Sequence, residues 1–295
     1  MTHSAHSIKP CLNILGAGRA ARVVARWLAD SGQVDIGQVA NSSFASAKAA
    51  VDFIRSGQAV EQITDLSSND WLLIGLSDAL LDRSKLHAVL CGPEFGQPDL
   101  AFHLSGSLTA NVLSGTANTI ASVHPARAFA TPELAIQNIT GTWLTAEGDA
   151  EALAQLEPKF SATGARWQTI ESSLKPLYHA STVIASNYLV TLTALARELA
   201  EAAGASSAAA QSLLANLQAG TLDNLDRTPA KQALTGPIER GDLATLKRFQ
   251  QAISQTKPSS VTVLNELGLA TLDLAIKTRG AGRSDADIRK LFTNA

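Results

Sequence analysis

Short apolar segments and amphipathic segments alternate along the first half of the chain. Residues 12–15 and 71–76 are mostly apolar runs with the length of buried strands. Between such runs apolar side chains recur at helical spacing, as in residues 20–28. Strands that alternate with helices form a mostly parallel sheet with helices on both faces. We therefore predict an α/β fold with a mostly parallel, doubly wound sheet for residues 1–170.

The hydrophobic pattern changes at Glu171. Residues 174–203 form one long helical pattern that Gly204 closes, and no strand pattern follows it. Further helical patterns occupy residues 206–217, 241–254 and 260–277. A chain of 295 residues is also long for a single core. We therefore predict a second, all-helical domain of residues 171–295.

The first strand and the first helix are joined by the sequence Gly16-Ala17-Gly18-Arg19-Ala20-Ala21. This is the Gly-x-Gly-x-x-Ala pattern at a strand-to-helix turn. Gly16 permits the tight turn, Gly18 lets the backbone approach a pyrophosphate, and the helix N-terminus attracts the phosphates. The pattern predicts a dinucleotide-binding Rossmann domain whose cofactor contacts Gly16, Ala17, Gly18, Arg19 and Ala20. The alternative is a glycine-rich turn without a ligand.

The end of the second strand indicates which nicotinamide cofactor would bind. NAD sites place an acidic side chain there, on the ribose 2′-hydroxyl. This chain has Asn41, Ser42 and Ser43 instead, and Arg19 lies nearby in the glycine turn. These side chains suit a 2′-phosphate, so we predict NADP(H), with Leu76 and Ser77 at the end of a later strand as further contacts. A polar loop without a ligand role is the alternative.

Polar residues also follow later strands of the predicted sheet. His103 ends one strand and is followed by Ser105 and Gly106, and His124 ends the next strand. Open parallel sheets bind ligands at the carboxyl ends of their strands. We therefore expect Ser105 and Gly106 to contact a substrate and His124 to take part in catalysis.

The start of the long helix carries further candidates. Proline is tolerated in a first helical turn, so Pro176 places Lys175 at the helix start. Helical spacing places His179, and later Ser186 and Asn187, near the same face. An ammonium at a helix N-terminus has a lowered pKa and suits proton donation to a developing alkoxide. We predict that Lys175, His179 and Asn187 are catalytic and that Ser186 contacts substrate. The alternatives are a solvated lysine and a hydrogen-bonded histidine of the core.

A loop between two predicted helices carries two glycines, a proline and three charged residues in residues 233–242. One interpretation is an ordinary loop that ends in Asp242 as a helix N-cap. The other is a loop that reaches the active site, where Thr235 and Gly236 would contact substrate.

Composition excludes several other classes of protein. With 45% hydrophobic residues, 17% charged residues and a net charge of −2, nothing favours nucleic-acid binding. No apolar run lacks polar interruptions over a membrane-spanning length, so we expect no membrane partner. Two cysteines without a ligand pattern predict no metal site and a reducing, cytoplasmic location.

Five motifs in order resemble the Rossmann-like/DUF2520 family over nearly the whole chain. They are Gly16-Ala17-Gly18-Arg19, His103-Leu104-Ser105-Gly106-Ser107, Ser122-Val123-His124-Pro125, Leu177-Tyr178-His179-Ala180 with Ser186-Asn187, and the segment from Leu234 to Asp242. The resemblance implies an NADP-dependent oxidoreductase with a helical domain like that of 6-phosphogluconate dehydrogenase, usually a homodimer. Phe249 departs from the pattern, since many members have histidine there.

Two more distant resemblances concern the chemistry. Lys175 followed by polar residues at helical spacing resembles the catalytic helix of ketopantoate reductase, although His179 stands where that family has asparagine. The His124-Pro125 pair is similar to one in prephenate dehydrogenase, where the histidine meets substrate. We therefore expect hydride transfer to or from a small, carboxylated keto or hydroxy substrate. The alternatives are a prephenate-dehydrogenase-like enzyme and a nucleotide-binding regulatory protein without catalytic activity.

Overall fold

The computed structural model describes residues 9–90 and 94–293, without the side chains of residues 87–89. The chain forms two compact units, which divide after Ser186. The sequence pattern had its break earlier, at Glu171, where the last strand signal ends. The first two turns of the following helix stay with the first unit because Lys175 and Tyr178 hydrogen-bond to residues of its sheet.

The first unit contains an eight-stranded sheet of order β3-β2-β1-β4-β5-β6-β7-β8. The six strands β1 to β6 are parallel, β7 is antiparallel to β6, and β8 is parallel to β7. This arrangement confirms the predicted mostly parallel sheet. The strands are β1 Cys11–Leu15, β2 Asp35–Ala40, β3 Gln58–Val60, β4 Asp70–Ile74, β5 Leu100–His103, β6 Thr119–Pro125, β7 Trp143–Gly148 and β8 Arg166–Thr169.

Helices cover both faces of this sheet, and each face has its own apolar core. One core includes Leu12, Leu28 and Phe102, and the other includes Leu72 and Leu86. Such a two-faced core explains why the central strands are apolar at nearly every position. The helices are α1 Arg19–Asp30, α2 Phe44–Ile54, α3 Arg83–Leu90, α4 Pro132–Gln137, α5 Ala150–Ala162 and α6 Lys175–Val183.

Helix α3 begins at Arg83, five residues after Asp78. Asp82 occupies the capping position, because its Oδ1 accepts hydrogen bonds from the backbone N–H groups of Ser84 and Lys85 at 3.0 and 3.2 Å. The Asp78 carboxylate is thereby left to bond elsewhere.

The second unit is helical throughout its described residues. Its small core is formed by Leu246, Leu272 and Ile288, and an ion pair between Arg279 and Asp285 closes one end. A π-helical turn, Ile184–Tyr188, leads into it from α6. The helices are α7 Leu189–Ala202, α8 Ser207–Arg227, α9 Ala230–Ala233, α10 Pro237–Arg240, α11 Leu243–Thr256, α12 Val261–Arg279 and α13 Asp285–Thr293.

Among the described residues, one helical stretch, residues 258–279, is long and apolar enough to cross a membrane by length and composition. Buried helices of globular units pass the same test, and 28% of the tested window is buried here. Leu272 and Ala275 of this stretch are fully buried in the helical unit, and Gly268 packs against the ring of Phe292.

Candidate active site

The glycine turn fits closely against the end of β4. Gly16 has a φ of +82°, in the left-handed region that favours glycine. A Cβ on Gly16 would lie 2.6 Å from Leu76 Cδ2, and one on Gly75 would overlap the Gly16 carbonyl oxygen. Neither glycine can therefore be replaced without moving the turn. The absence of side chains here lets the turn pack closely against the end of β4.

The N-terminus of α1 has the features of an anion site. Its N-cap, Gly18, supplies no capping side chain, and no acidic residue lies in the first turn. The first N–H groups of a helix lack partners within the helix, and the helix dipole favours negative charge there. This N-terminus can accept a phosphate group in the way the sequence pattern predicts.

A groove of about 500 Å³ lies in front of the glycine turn. Six of the predicted cofactor residues line it, namely Gly16, Gly18, Asn41, Ser42, Leu76 and Ser77. No carboxylate is among the lining residues, whereas Lys85 from α3 is. Sequence reasoning missed Lys85, since a single lysine on a helix has no spacing signal. A groove with one cation and no acid is suited to a phosphate-rich ligand.

The other four predicted cofactor residues have different positions. Ala17 is fully buried, and its carbonyl oxygen accepts two hydrogen bonds from Arg22 at 2.9 and 3.1 Å. Arg19 donates to the carbonyl oxygen of Ala130 at 3.2 Å, and Ser43 caps α2. These side chains, like that of Ala20 on α1, support the turn and its neighbours instead of lining the groove.

Two imidazole rings meet the backbone of Gly106 at the same edge of the sheet. The rings of His124 and His179 lie 5.9 Å apart between centroids and nearly perpendicular. A Cβ on Gly106 would lie 3.0 Å from His124 Nε2 and would overlap His179 Nδ1. The structure therefore brings together three residues predicted from sequence, and glycine at position 106 is what allows the rings to approach.

This imidazole pair is joined to the cofactor groove by a short chain of contacts. Ser107, next to Gly106, donates a hydrogen bond to Asp78 Oδ2 at 2.6 Å. Asp78 follows Ser77, which lines the groove. The groove and the imidazole pair therefore occupy one continuous edge at the carboxyl ends of β4, β5 and β6.

Two cross-strand pairs of β6 and β7 carry the polar side chains at this edge. Ser122 lies opposite Glu147, and His124 lies opposite Thr145. Residues two apart on a strand point to the same face, so all four side chains share one face of the sheet. Helix α6 lies over them, with Lys175 bonded to the first pair and, one turn later, Tyr178 bonded to the second.

The Lys175 ammonium is enclosed in the first pair. Its Nζ lies 3.1 Å from Glu147 Oε1 and donates to Ser122 Oγ, and the side chains of Lys175 and Glu147 are only 1% and 2% exposed. Burial is the main reason that the pKa of Lys175 is lowered, and Glu147 opposes that shift. The helix does begin at Lys175, as predicted, but the alternative of a solvated lysine is wrong.

Glu147 is a further residue that sequence reasoning missed. It accepts hydrogen bonds from the Ala110 backbone N–H at 2.8 Å and from Ser172 Oγ at 2.6 Å, besides that of Lys175. In the sequence of β7, polar and apolar residues alternate, and this pattern does not predict a buried charge at Glu147. These contacts favour a structural role for the ion pair beneath the imidazoles, and a catalytic role for Lys175 stays a prediction.

His124 and Tyr178 form the second bonded pair. His124 Nδ1 lies 2.8 Å from Tyr178 Oη. Burial lowers the pKa of His124 to about 4, with smaller contributions from His179 and Lys175. Burial likewise raises the pKa of Tyr178, so the imidazole of His124 and the phenol of Tyr178 are both neutral near pH 7.

His103 and Ser105 organise the loop that carries Gly106. The His103 ring accepts from the Ser105 N–H at 3.1 Å and contacts the Thr109 carbonyl oxygen at 3.1 Å, and burial lowers its pKa to about 4. The Ser105 hydroxyl accepts from the backbone N–H groups of Ser107 and Leu108. Both side chains are turned into the protein, and a contact of Ser105 with substrate stays a prediction.

The remaining predicted residues lie along α6 and in the helical unit. Ser186 ends the first unit, and its hydroxyl donates to the Thr182 carbonyl oxygen at 2.8 Å. Asn187 begins the second unit, where Thr235 is exposed and Gly236, with a φ of +103°, is the N-cap of α10. Asp242 caps α11 by accepting from the Thr245 N–H at 3.1 Å, as one interpretation of this loop predicts.

No cluster of three or more His, Cys, Asp or Glu side chains suited to a metal ion occurs in residues 9–90 and 94–293.

The glycine turn and the doubly wound sheet define a Rossmann-type fold. Residues 142–271 match the family DUF2520, a domain of unknown function. The match begins just before β7 and extends into α12, and it confirms the resemblance over this stretch, which contains the motifs at residues 177–187 and 234–242. No curated protein has significant sequence similarity to this chain.

Solved structures of similar fold cover nearly the whole chain. Protein TM1727 from Thermotoga maritima has a TM-score of 0.70 at 22% identity, over 91% of this chain and 99% of its own. A candidate NADP oxidoreductase from Bacteroides fragilis has a TM-score of 0.70 at 18% identity, over 90% and 98%. An imine reductase from Streptomyces aurantiacus has a TM-score of 0.56 at 18% identity, over 96% and 99%. These similarities confirm the predicted fold class.

Proposed function

We propose that this protein is an NADP(H)-dependent oxidoreductase that reduces a small carbonyl or imine substrate, or oxidises the corresponding product. The observation that carries the proposal is the continuous edge on which a phosphate-suited groove meets a pair of imidazoles over a glycine backbone. The imine is added to the sequence-based expectation of a keto or hydroxy substrate because a structural neighbour is an imine reductase. A carboxylated substrate stays part of the proposal.

The groove residues support the choice of NADP(H). The helix N-terminus at Gly18 would hold the pyrophosphate, and Asn41 and Ser42 would face the ribose end. Lys85 lines the same groove, and its ammonium would pair with the 2′-phosphate. Without a carboxylate among the lining residues, nothing repels that phosphate.

When bound, the nicotinamide supplies or accepts a hydride. The chain itself must then orient the substrate and stabilise negative charge on its oxygen or nitrogen. His124 and His179 are the ring donors at this edge, and Gly106 leaves room for a substrate atom beside them. His124 is neutral near pH 7, so it acts as a hydrogen-bond donor to that atom and not as a cation.

Titration calorimetry with NADPH and NADH, followed by assays of NADPH oxidation, tests the proposal. One added charge-assisted hydrogen bond is worth about 1.5–3 kcal/mol, so NADPH should bind about tenfold or more tightly than NADH. Lys85→Glu should remove this preference, whereas Lys159→Glu, in a cavity at the amino-terminal edge of the sheet, should not. Equal affinities of the wild-type protein for both cofactors would refute the choice of NADP(H).

The catalytic part of the proposal needs a substrate panel. Keto acids and cyclic imines are assayed with saturating NADPH, and the best substrate is then used with His124→Asn. Loss of a group that assists proton transfer costs about 10²–10⁴-fold in rate, so turnover should fall by that order while NADPH affinity is kept. Cofactor binding without turnover of any compound would favour the regulatory protein instead.

We also propose that the protein is a homodimer joined through the helical unit. Leu213 and Leu217 of α8 are 61% and 63% exposed and lie one turn apart, and such apolar faces mark interaction sites. Sedimentation at micromolar concentration should give about twice the chain mass. Leu213→Glu together with Leu217→Glu should give monomers, whereas Leu134→Glu on α4 should not. A monomeric wild-type protein contradicts the proposal.

A further inference from the structure

The hydrogen bond between Tyr178 and His124 has two forms that place opposite chemistry in the cleft. If the phenol donates to Nδ1, the neutral ring carries its hydrogen on Nε2, next to Gly106. If Nδ1 donates to the phenol, Nε2 has a bare lone pair. The first form offers a hydrogen-bond donor to a substrate, and the second offers a base.

Thr145 is the neighbouring group that can decide between the two forms. It lies opposite His124 in the β6–β7 ladder, and its hydroxyl opposes the rise in the pKa of Tyr178 that burial causes, as a hydroxyl that donates to Oη does. Thr145 is buried, and Tyr178 is partly buried. When Oη accepts from Thr145, the phenol hydrogen is still available for a second hydrogen bond. His124 Nδ1 lies 2.8 Å from Oη and can accept that hydrogen.

We propose that Thr145 and Tyr178 are positioning residues that lock His124 in its Nε2–H tautomer. The locked Nε2–H then lies beside Gly106, at the position where a substrate atom would sit. The consequence for the substrate class rests on the proposed function. The resting site therefore offers a hydrogen-bond donor to an accepting atom such as a carbonyl oxygen, which suits the direction of reduction.

Two further contacts agree with this role for Tyr178. The rings of Tyr178 and His124 also form a T-shaped contact with centroids 5.6 Å apart, which restricts rotation of the imidazole. Ser122, two residues before His124 on the same face, lies opposite Glu147 and accepts a hydrogen bond from Lys175. The two cross-strand pairs thus have separate tasks, since one holds an ion pair and the other orients a ring.

Nitrogen NMR of the protein labelled at histidine tests this directly and requires neither cofactor nor substrate. Proton-bearing and bare ring nitrogens have well-separated chemical shifts, and His124→Asn identifies the signals by their loss. The wild-type spectrum should show a protonated Nε2 and a bare Nδ1 for His124. Tyr178→Phe should shift the tautomer ratio by about fivefold or more, the change that one ordinary hydrogen bond brings.

Two further variants separate orientation from general damage. Thr145→Val keeps the phenol and the packing volume but removes the donor to Oη, so the ratio should shift in the same direction. Thr182→Val, beside His179, should leave the His124 signals unchanged. A protonated Nδ1 in the wild-type protein, or a ratio that Tyr178→Phe does not alter, overturns the inference. Because the readout is made on the free protein, failure of the proposed reaction would not affect it.

Discussion

Replacing Lys175 by methionine is expected to lower the free energy of unfolding by about 3–5 kcal/mol, because removal of one partner leaves a buried charge uncompensated. The charge in question is that of Glu147, which is 2% exposed and lies 3.1 Å from the ammonium. Methionine fills most of the lysine volume, so little of the loss comes from a cavity. Urea unfolding of both proteins at pH 7 measures the difference.

A paired variant shows whether the loss comes from the charge. Lys175→Met combined with Glu147→Gln removes both charges and should recover much of the stability, since a buried ion pair contributes little against neutral groups of similar shape. Lys48→Met, on the exposed side of α2, should change stability by less than about 0.5 kcal/mol. If Lys175→Met costs no more than that control, the ion pair is not structural.

Acidification is expected to destabilise the folded protein through two buried histidines. Burial lowers the pKa of His103 and of His124 from 6.5 to about 4. Between these values the unfolded chain binds protons that the folded chain does not, so stability falls as the pH falls from about 6.5 to about 4 and then levels off. Each shift corresponds to about 3 kcal/mol over the whole window.

Urea unfolding at several pH values measures this slope. His124→Asn should remove about half of it, and so should His103→Asn, in which the amide oxygen can accept from the Ser105 N–H in place of the ring. Carboxylates such as Asp82, whose pKa is lowered by Ser84 and Lys85, titrate in all three proteins and cancel in the comparison. If stability depends on pH equally in the wild-type protein and in both variants, protonation of the two rings does not destabilise the folded protein, and the prediction is wrong.

The parts of the fold that the sequence predicted are those fixed by neighbouring residues. The turn at Gly16 and Gly18 follows from two glycines between a strand and a helix, and it lies where the pattern placed it. His124 and Gly106 end up together because the carboxyl ends of parallel strands share one edge, which the alternation of elements already implies.

The parts that the sequence did not predict depend on pairing between distant segments. Glu147 neutralises Lys175 only because β7 runs antiparallel to β6 and places its carboxylate opposite Ser122. No local pattern encodes that register. The motif contains Tyr178 but does not predict its hydrogen bond to His124, because that bond depends on how α6 lies on the sheet. Lys85 was missed for the same reason, because the placement of α3 brings it to the groove.

The β6–β7 ladder has a consequence for how such a protein can change over evolution. The four ladder side chains and the part of α6 that bonds to them come from one continuous stretch, residues 119–179. The lining of the groove comes from residues 15–86. Recombination or duplication of the later stretch would exchange His124, Tyr178 and His179 together, though not Gly106, and would leave the lining of the groove unchanged. A slip of one residue in β7 would instead turn Thr145 and Glu147 to the other face, away from His124 and Ser122. Descendants are therefore expected to diversify by substitution at these positions and by changes in the loop of residues 126–142, while the pairing register of β6 and β7 is inherited unchanged.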